Sequence, residues 1–122
     1  MKFLVDNNLP PAWGPGLSEL SKPHHHAVEV VALRQKFPHD ARDDVWISAL
    51  GTEMGWCVLS QDRFGKGDIE REALRQAKLI VFRLQPQWAK HSYWPKTQAL
   101  LRWWPSFRNQ AKLLRSHPIV IS

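Results

Sequence analysis

Short apolar runs alternate along the chain with longer segments in which apolar residues recur at helical spacing. The runs, each of a length that suits a buried strand, are residues 2–5, 26–33, 56–60, 78–84 and 118–122. Helices are predicted between them, over about 10–20, 40–54, 68–77 and 94–114. Strands and helices that alternate over short connections form a parallel sheet with helices on both faces. The pattern therefore predicts an α/β fold, a three-layer α/β/α sandwich around a mainly parallel central sheet.

The segments predicted to be helical contain residues that favour a helix and residues that oppose one. Proline is tolerated in a first turn, so Pro10 and Pro11 can open the first helix, although Gly-Pro-Gly at 14–16 makes it late or irregular. The last helix is predicted to break at Pro105. The helix over 40–54 is expected to end at a C-cap glycine, Gly55. Its broad apolar face consists of Val45, Trp46, Ala49, Leu50 and Met54.

Length and composition predict a single domain over residues 1–122. A chain of 122 residues is long enough to bury one hydrophobic core but not two. No run approaches ~18 consecutive apolar residues, which excludes a membrane-spanning helix, and Asp6 interrupts the first run too early for a secretory signal. Cys57 is the single cysteine, so it forms no internal disulfide, and its apolar surroundings predict a buried, inert thiol. We expect a reducing, cytoplasmic setting.

Charge is distributed unevenly along the chain. The net charge is +6, but Glu72 is the last acidic residue and nine lysines and arginines follow it. The segment after Glu72, which includes the basic C-terminal part, residues 85–122, is therefore a positive surface however it folds, and such a surface suits a phosphate backbone or an acidic protein partner. Alternatively, the positive charge serves only to keep the protein soluble. One helical face carries Arg108, Lys112 and Arg115. This face could bind phosphates, contact a partner or simply be exposed to solvent.

The same C-terminal part is rich in tryptophan. Four of the seven tryptophans lie there, at positions 88, 94, 103 and 104. Tryptophans among cations can stack nucleic-acid bases, form the centre of a protein interface or fill a core. We expect about half of these four, together with Trp46 and Trp56, to be core residues.

Acidic residues follow the predicted strands at positions where a parallel sheet would gather them. Asp6 follows the first strand, Ser60 and Asp62 follow the strand over 56–60, and Asp43 with Asp44 begins a helix. The carboxyl ends of parallel strands share one edge of the sheet, where the reactive crevice of such folds lies. Several carboxylates at one place require a counter-charge, and oxygen ligands favour Mg²⁺ or Mn²⁺. Such ions activate water for phosphodiester hydrolysis.

The segments that contain these acidic residues resemble those of a known protein family. The segments FLVDNNLPP and DDVWISALGTEMGWCVLSQDRF are similar to the PIN-like nucleases, in particular the compact PIN-like toxins related to VapC, and the similarity covers about residues 2–84. The resemblance implies a PIN-like domain with metal ligands at Asp6, at Asp43 or Asp44, and at Asp62 in a Ser-Gln-Asp element. The spacing to Trp46 favours Asp43 over Asp44.

The implied activity is a metal-dependent endoribonuclease that hydrolyses RNA with metal-activated water. Such a protein is often the toxin of a toxin–antitoxin pair, so RNA is the predicted substrate, an antitoxin protein is an implied partner, and a homodimer is left open. The predicted catalytic and metal-binding residues are Asp6, Asp43 and Asp62, with Asp44 as a reserve ligand. Asn7 and Ser60 are predicted to support them, and Arg63 and Lys66 to steer the scissile phosphate.

The sequence departs from the family pattern at one point, which keeps an alternative open. PIN nucleases commonly have a fourth acid near the third, whereas Arg63 and Phe64 follow Asp62 here, and Asp68 is expected to be an N-cap. An incomplete acidic set would give a weak or inactive PIN-like module that binds RNA or protein. A receiver-like signalling domain is a weaker alternative, because Lys90 and Lys96 are poorly placed for it.

Each of these polar residues also has an ordinary structural explanation. Asp6 can form an Asx turn that caps the next helix, and Asp43 and Asp44 are favoured in a first turn by the helix dipole. Ser60 can satisfy the local backbone at a strand end. The three histidines at 24–26 point in different directions if extended, so a solvated loop is preferred to a metal site.

Overall fold

The computed structural model describes residues 1–23, 28–61, 67–113 and 118–121, of which 89, 112, 113 and 118–121 are described by their backbone alone. The strands are β1 (Lys2–Val5), β2 (Glu29–Ala32), β3 (Trp56–Ser60), β4 (Ile80–Leu84) and β5 (Pro118–Ile121). The helices are α1 (Trp13–Ser21), α2 (Leu33–Lys36), α3 (Asp43–Glu53), α4 (Asp68–Ala77) and α5 (Tyr93–Leu113). A 3-10 turn over Pro86–Lys90 leads from β4 into α5.

The strands form one parallel sheet in the order β2-β1-β3-β4-β5. Strand β1 pairs with β2 on one side and β3 on the other, so Phe3 lies opposite both Val30 and Cys57. Strands β4 and β5 extend the sheet in the same direction. Every recorded strand pair is parallel, as the alternation of strands and helices predicts.

Both faces of the sheet are covered, because successive side chains of a strand point to opposite faces. Phe3 and Val5 of β1 belong to a core cluster with residues of α1 and α5, such as Trp13 and Leu100. Leu4 belongs to a second cluster with residues of α3 and α4. The predicted three-layer α/β/α sandwich is confirmed.

Helix α1 begins later than its prolines suggest. Pro10 and Pro11 form a turn, in which their carbonyls accept hydrogen bonds from the amides of Trp13 and Gly14. Gly14 then lies against β2, where a Cβ atom would sit 2.4 Å from the backbone nitrogen of Ala32. The glycine that seemed to oppose a helix therefore lets α1 approach the sheet closely.

Two predicted features of the helices are wrong, and a third, the C-cap of α3, is displaced by one residue. Helix α3 buries Ile47 with Trp46 and Leu50, whereas Val45 and Met54 of the predicted apolar face are 51% and 73% exposed. The C-cap of α3 is Met54, one residue before the predicted cap. Helix α5 continues through Pro105 without a break. The proline is exposed, so water can satisfy the carbonyl that loses its helical hydrogen bond.

Strand β2 is shorter than predicted. It begins at Glu29 and ends at Ala32, because Leu33 opens the short helix α2, which the sequence pattern did not indicate. The first residues of the predicted strand, including His26, lie outside the described part of the chain, as do His24 and His25.

The buried aromatic and sulfur side chains follow expectation. Trp46, Trp56, Trp88 and Trp104 are buried, and Trp94 and Trp103 are exposed, so half of the C-terminal tryptophans are core residues. Cys57 is also buried, and its burial raises the pKa of the thiol to about 11. Within the described ranges, none of the helices has the length and apolar character needed to cross a membrane.

Candidate active site

Strands β1 and β3 bring the first candidate residues together. Because the two strands are adjacent and parallel, Val5 lies opposite Leu59, and the residues that follow them meet at the carboxyl edge of the sheet. The amide of Asp6 donates a hydrogen bond to the carbonyl of Leu59 over 2.9 Å. The strand pairing therefore places the side chain of Asp6 beside that of Ser60.

The carboxylate of Asp6 is buried and hydrogen-bonded at both oxygens. Its residue is 7% exposed. The hydroxyl of Ser60 donates to Oδ2 over 2.7 Å, and the backbone amide of Asn7 donates to Oδ1, also over 2.7 Å. Burial of a carboxylate is costly without such partners. Asp6 is therefore held in a fixed orientation at the edge of the sheet by groups from both neighbouring chain segments.

Asn8 extends this arrangement to the segment after β3. Its Nδ2 donates to Oγ of Ser60 over 3.2 Å, and its Oδ1 accepts a hydrogen bond from the amide of Gln61 over 3.1 Å. The asparagine side chain thus links the turn after β1 to the residue that precedes Asp62. Because Ser60 accepts from Asn8, its single hydroxyl proton is directed toward Asp6.

Asn8 was missed by the sequence reasoning, which named Asn7 instead. The side chain of Asn7 is exposed, and the hydrogen bond from Asn7 to Asp6 is donated by its backbone amide. Two consecutive amides after a strand are a signal for turn chemistry, but nothing in the pattern distinguishes which of them points toward β3. The geometry of the turn after β1 makes that distinction.

Asp43 and Asp44 open helix α3 and have different partners. Helix α3 leads from β2 to the start of β3, so it begins on the side of the sheet's carboxyl edge. Oδ1 of Asp43 accepts a hydrogen bond from Nε1 of the buried Trp46 over 3.0 Å. This contact gives the three-residue spacing between the two residues a structural meaning, and it holds the half-buried carboxylate near the helix start.

Asp44 is engaged by a neighbouring cation. Nε and Nη2 of Arg42 donate to its two carboxylate oxygens over 3.0 and 2.7 Å. These hydrogen bonds, followed by the positive charge of Arg42, lower the pKa of Asp44 below its ordinary value. Asp43 forms no ion pair with any residue in the described ranges. Of the two, Asp43 is therefore the carboxylate that can turn to a ligand without losing a salt bridge.

The remaining predicted residues fall after β3. Asp62, Arg63 and Lys66 lie outside the described residues. Asp68 is the first residue of α4 and forms an exposed ion pair with Arg71 at 2.6 Å. The N-cap of α4 is Gly67, so the predicted capping role of Asp68 is wrong by one position. An acid in the first turn is favoured by the helix dipole and needs no further role.

The carboxylate oxygens of the candidate residues suit a hard divalent cation, but the described residues do not supply a complete set of metal ligands. Carboxylate oxygens are the ligands that Mg²⁺ and Mn²⁺ prefer. Among residues 1–23, 28–61, 67–113 and 118–121, no three His, Cys, Asp or Glu side chains form a group that could hold a metal ion. The carboxylates of Asp6 and Asp43 are each oxygen ligands of the kind that such a site uses. Asp62 directly follows Gln61, whose amide is held by Asn8.

Comparison with known proteins gives one match. The family model described as PIN like domain matches residues 1–86, which is more than half of the chain and includes β1 to β4. No curated protein and no solved structure matches the chain.

Proposed function

The chain belongs to the PIN-like domain family, and we propose that it is a metal-dependent endoribonuclease that hydrolyses RNA phosphodiesters. PIN-like domains are generally nucleases and typically use divalent metals. The observation that carries the proposal is the buried carboxylate of Asp6, oriented by Ser60 at the carboxyl edge of β1 and β3. This is the edge at which open parallel sheets bind their ligands.

Each candidate residue has a role in this proposal. Asp6, Asp43 and Asp62 hold one Mg²⁺ or Mn²⁺ ion. The cation, when bound, supplies an activated water and offsets the charge that grows on the phosphodiester. Ser60 and Asn8 fix the orientation of Asp6, while Asn7 contributes its backbone amide.

The residues around the three ligands assist binding. Asp44 joins the ligand set only if its carboxylate leaves Arg42. Arg63 and Lys66, close to Asp62 in the sequence, steer the scissile phosphate. RNA is the proposed substrate because nine cations and no acids follow Glu72, which suits a phosphate backbone.

The biological setting is the finer part of the proposal. We infer that the chain is the toxin of a toxin–antitoxin pair in the cytoplasm, because its segments around Asp6, Asp43 and Asp62 are similar to compact PIN-like toxins. An antitoxin protein would then be its partner. An acidic or DNA-binding protein encoded next to this chain would support this setting.

A second candidate function is an inactive binding module of the same fold. Two observations favour it: Asp44 is paired with Arg42, and Arg63 and Phe64 follow Asp62 in the sequence where PIN nucleases commonly have a fourth acid. Such a module would retain RNA or a protein partner without cutting it.

Cleavage in the presence and absence of metal separates the two functions. Purified protein is incubated with a structured RNA in Mn²⁺ or in EDTA, beside the variants Asp6→Asn and Asp40→Asn. The exposed Asp40 is a matched control outside the proposed ligand set. The nuclease proposal predicts metal-dependent products that Asp6→Asn abolishes and Asp40→Asn leaves unchanged. Salt-sensitive retention of RNA without products, in Mn²⁺, would establish the binding module instead.

A further inference from the structure

Helix α5 keeps an exposed stripe along much of its length. Its residues follow one another at alternating steps of four and three, the spacing of one helix face. The α5 stripe consists of Trp94, Gln98, Leu101, Pro105 and Arg108. Trp94 is 69% exposed and Leu101 is 43% exposed, whereas Leu100, one position earlier, is fully buried in the core. The stripe is thus mainly apolar, and the described part of the chain leaves its side chains from Trp94 to Pro105 uncovered.

The end of the stripe has unmet hydrogen-bonding capacity. Nε and Nη1 of Arg108 are buried, and no described residue accepts a hydrogen bond from either atom. A covered guanidinium nitrogen without an acceptor costs free energy, which an acceptor brought from outside would recover. The half-buried side chain is partly at the surface, so it can turn toward such an acceptor.

The charge around the stripe selects the kind of acceptor. The exposed Arg102 flanks Leu101, and no acidic residue follows Glu72 in the sequence. The stripe therefore combines apolar side chains with cations that have no acid on their own segment of chain. A partner with carboxylates beside an apolar ridge is complementary to it in both respects.

We propose that the α5 stripe binds an acidic amphipathic helix of another protein. Apolar side chains of that helix would pack between Trp94 and Leu101, since ridges at steps of three and four fit one another. Its carboxylates would pair with Arg102 and Arg108. This inference concerns a surface away from the candidate active site and does not depend on cleavage activity.

Two other occupants fit less well. Single-stranded RNA would use Trp94 for stacking, but Leu101 and Pro105 offer no aromatic plane. Helix α5 also starts on the carboxyl side of β4 and extends about 30 Å, so its Arg108 end lies far along the helix from that edge. A symmetric contact between two copies of the chain would bring together two stripes that both carry positive charge, from Arg108 and the flanking Arg102, with no acid from residues 73–122 to offset it.

The test selects binders without assuming a natural partner. A display library of peptides about three heptads long carries leucine at the apolar positions and Glu, Gln or Lys in equal shares at the flanking positions. It is selected on the full chain, and the binders are measured by fluorescence anisotropy. We expect enrichment of Glu. We also expect Trp94→Ala to weaken binding about 30-fold, and Arg102→Glu or Arg108→Glu about tenfold each.

Matched controls make the result specific to the stripe. Ile69→Ala removes a side chain of the same 69% exposure on α4, and Arg34→Glu reverses an exposed charge on α2. Neither should change binding, and circular dichroism should show all variants folded. A lysine version of the selected peptide should restore affinity for the variant that carries both Arg102→Glu and Arg108→Glu.

Several outcomes would overturn the proposal. Enrichment of Lys, the absence of any binder, or equal weakening by the control variants would each reject the acidic helix. Tight binding of a single-stranded RNA oligonucleotide that Trp94→Ala abolishes, with no peptide selected, would assign the stripe to RNA. Self-association of the chain that Leu101→Ala abolishes would assign it to a second copy.

Discussion

Replacing Ser60 with alanine removes the hydrogen bond that its hydroxyl donates to Oδ2 of Asp6. Ser60 is fully buried and Asp6 is 7% exposed, so water has little access to take the place of the hydroxyl. A hydrogen bond to a charged group contributes about 1.5–3 kcal/mol. The amide of Asn8 also loses an acceptor, but it is exposed and can bind water. We expect the free energy of unfolding to fall by about 2 kcal/mol, and the Tm by about 8 °C.

The charge of Asp6 is separated from packing effects by a double-mutant cycle. In the Asp6→Asn background the acceptor is neutral, so the same Ser60→Ala substitution should cost about 1 kcal/mol less. Urea unfolding at about pH 7, followed by tryptophan fluorescence, measures the four proteins, with the slope against urea expected to stay constant.

Thr52→Ala is the matched control for a lost hydroxyl. Thr52 is exposed and donates to the carbonyl of Ser48 over 3.1 Å. Its loss should change the free energy of unfolding by less than about 0.5 kcal/mol. If Ser60→Ala costs no more than this control, or costs the same in both backgrounds at position 6, the hydroxyl is not bonded to a charged Asp6.

Three further predictions test the packing of the fold. Gly51→Ala should lower the free energy of unfolding by about 1–3 kcal/mol, because the added Cβ would lie 2.6 Å from Cα of Ala77. Gly16→Ala, which has open space around it, should raise the free energy of unfolding by about 0.5–1 kcal/mol, as measured by thermal unfolding. Since burial raises the pKa of Cys57 to about 11, the native thiol should react with an aromatic disulfide reagent at about pH 8 far more slowly than the urea-unfolded chain; equal rates would contradict this. Pro105→Ala should raise the free energy of unfolding by about 1–3 kcal/mol, because it restores a helical amide inside α5, and a lower value would show that the proline is required.

Strands β1 and β3 and helix α4 were predictable within their true limits. Asp6 ends the first apolar run abruptly, and β3 lies between the glycine and the polar residues that flank it. The apolar character of β3 follows from its burial at every position, because a central strand of a parallel sheet is covered on both faces. These elements could be recognised because local composition and tertiary position agree.

The features that local propensity does not explain depend on neighbours that are distant in sequence. Gly14 opposes a helix by propensity but is required by the close approach of α1 to β2. Pro105 opposes a helix as well, yet the packing of Leu100 and Phe107 into the core carries α5 through it. Local preference is the weaker effect in both cases, since burial of several large side chains outweighs about 3 kcal/mol from one proline.

Some contacts of the candidate site could likewise be predicted from the sequence, and others could not. That Asp6 and Ser60 meet at one edge could be predicted, because it follows from the parallel order of strands alone. That Asn8, rather than Asn7, contacts Ser60 depends on the geometry of the turn after β1, and that Arg42 occupies Asp44 depends on side-chain orientation at the start of α3. Residue type and order do not encode either contact.

Binding of Mn²⁺, measured by the loss of the electron paramagnetic resonance signal of the free ion, tests the proposed metal site. We expect one bound ion whose affinity falls at least about tenfold in each of Asp6→Asn, Asp43→Asn and Asp62→Asn. Asp40→Asn should leave it unchanged, and Asp44→Asn should alter it little, because that carboxylate is paired with Arg42. Equal Mn²⁺ affinity in the unaltered chain and in Asp6→Asn, or a loss confined to Asp44→Asn, would contradict the proposed metal site.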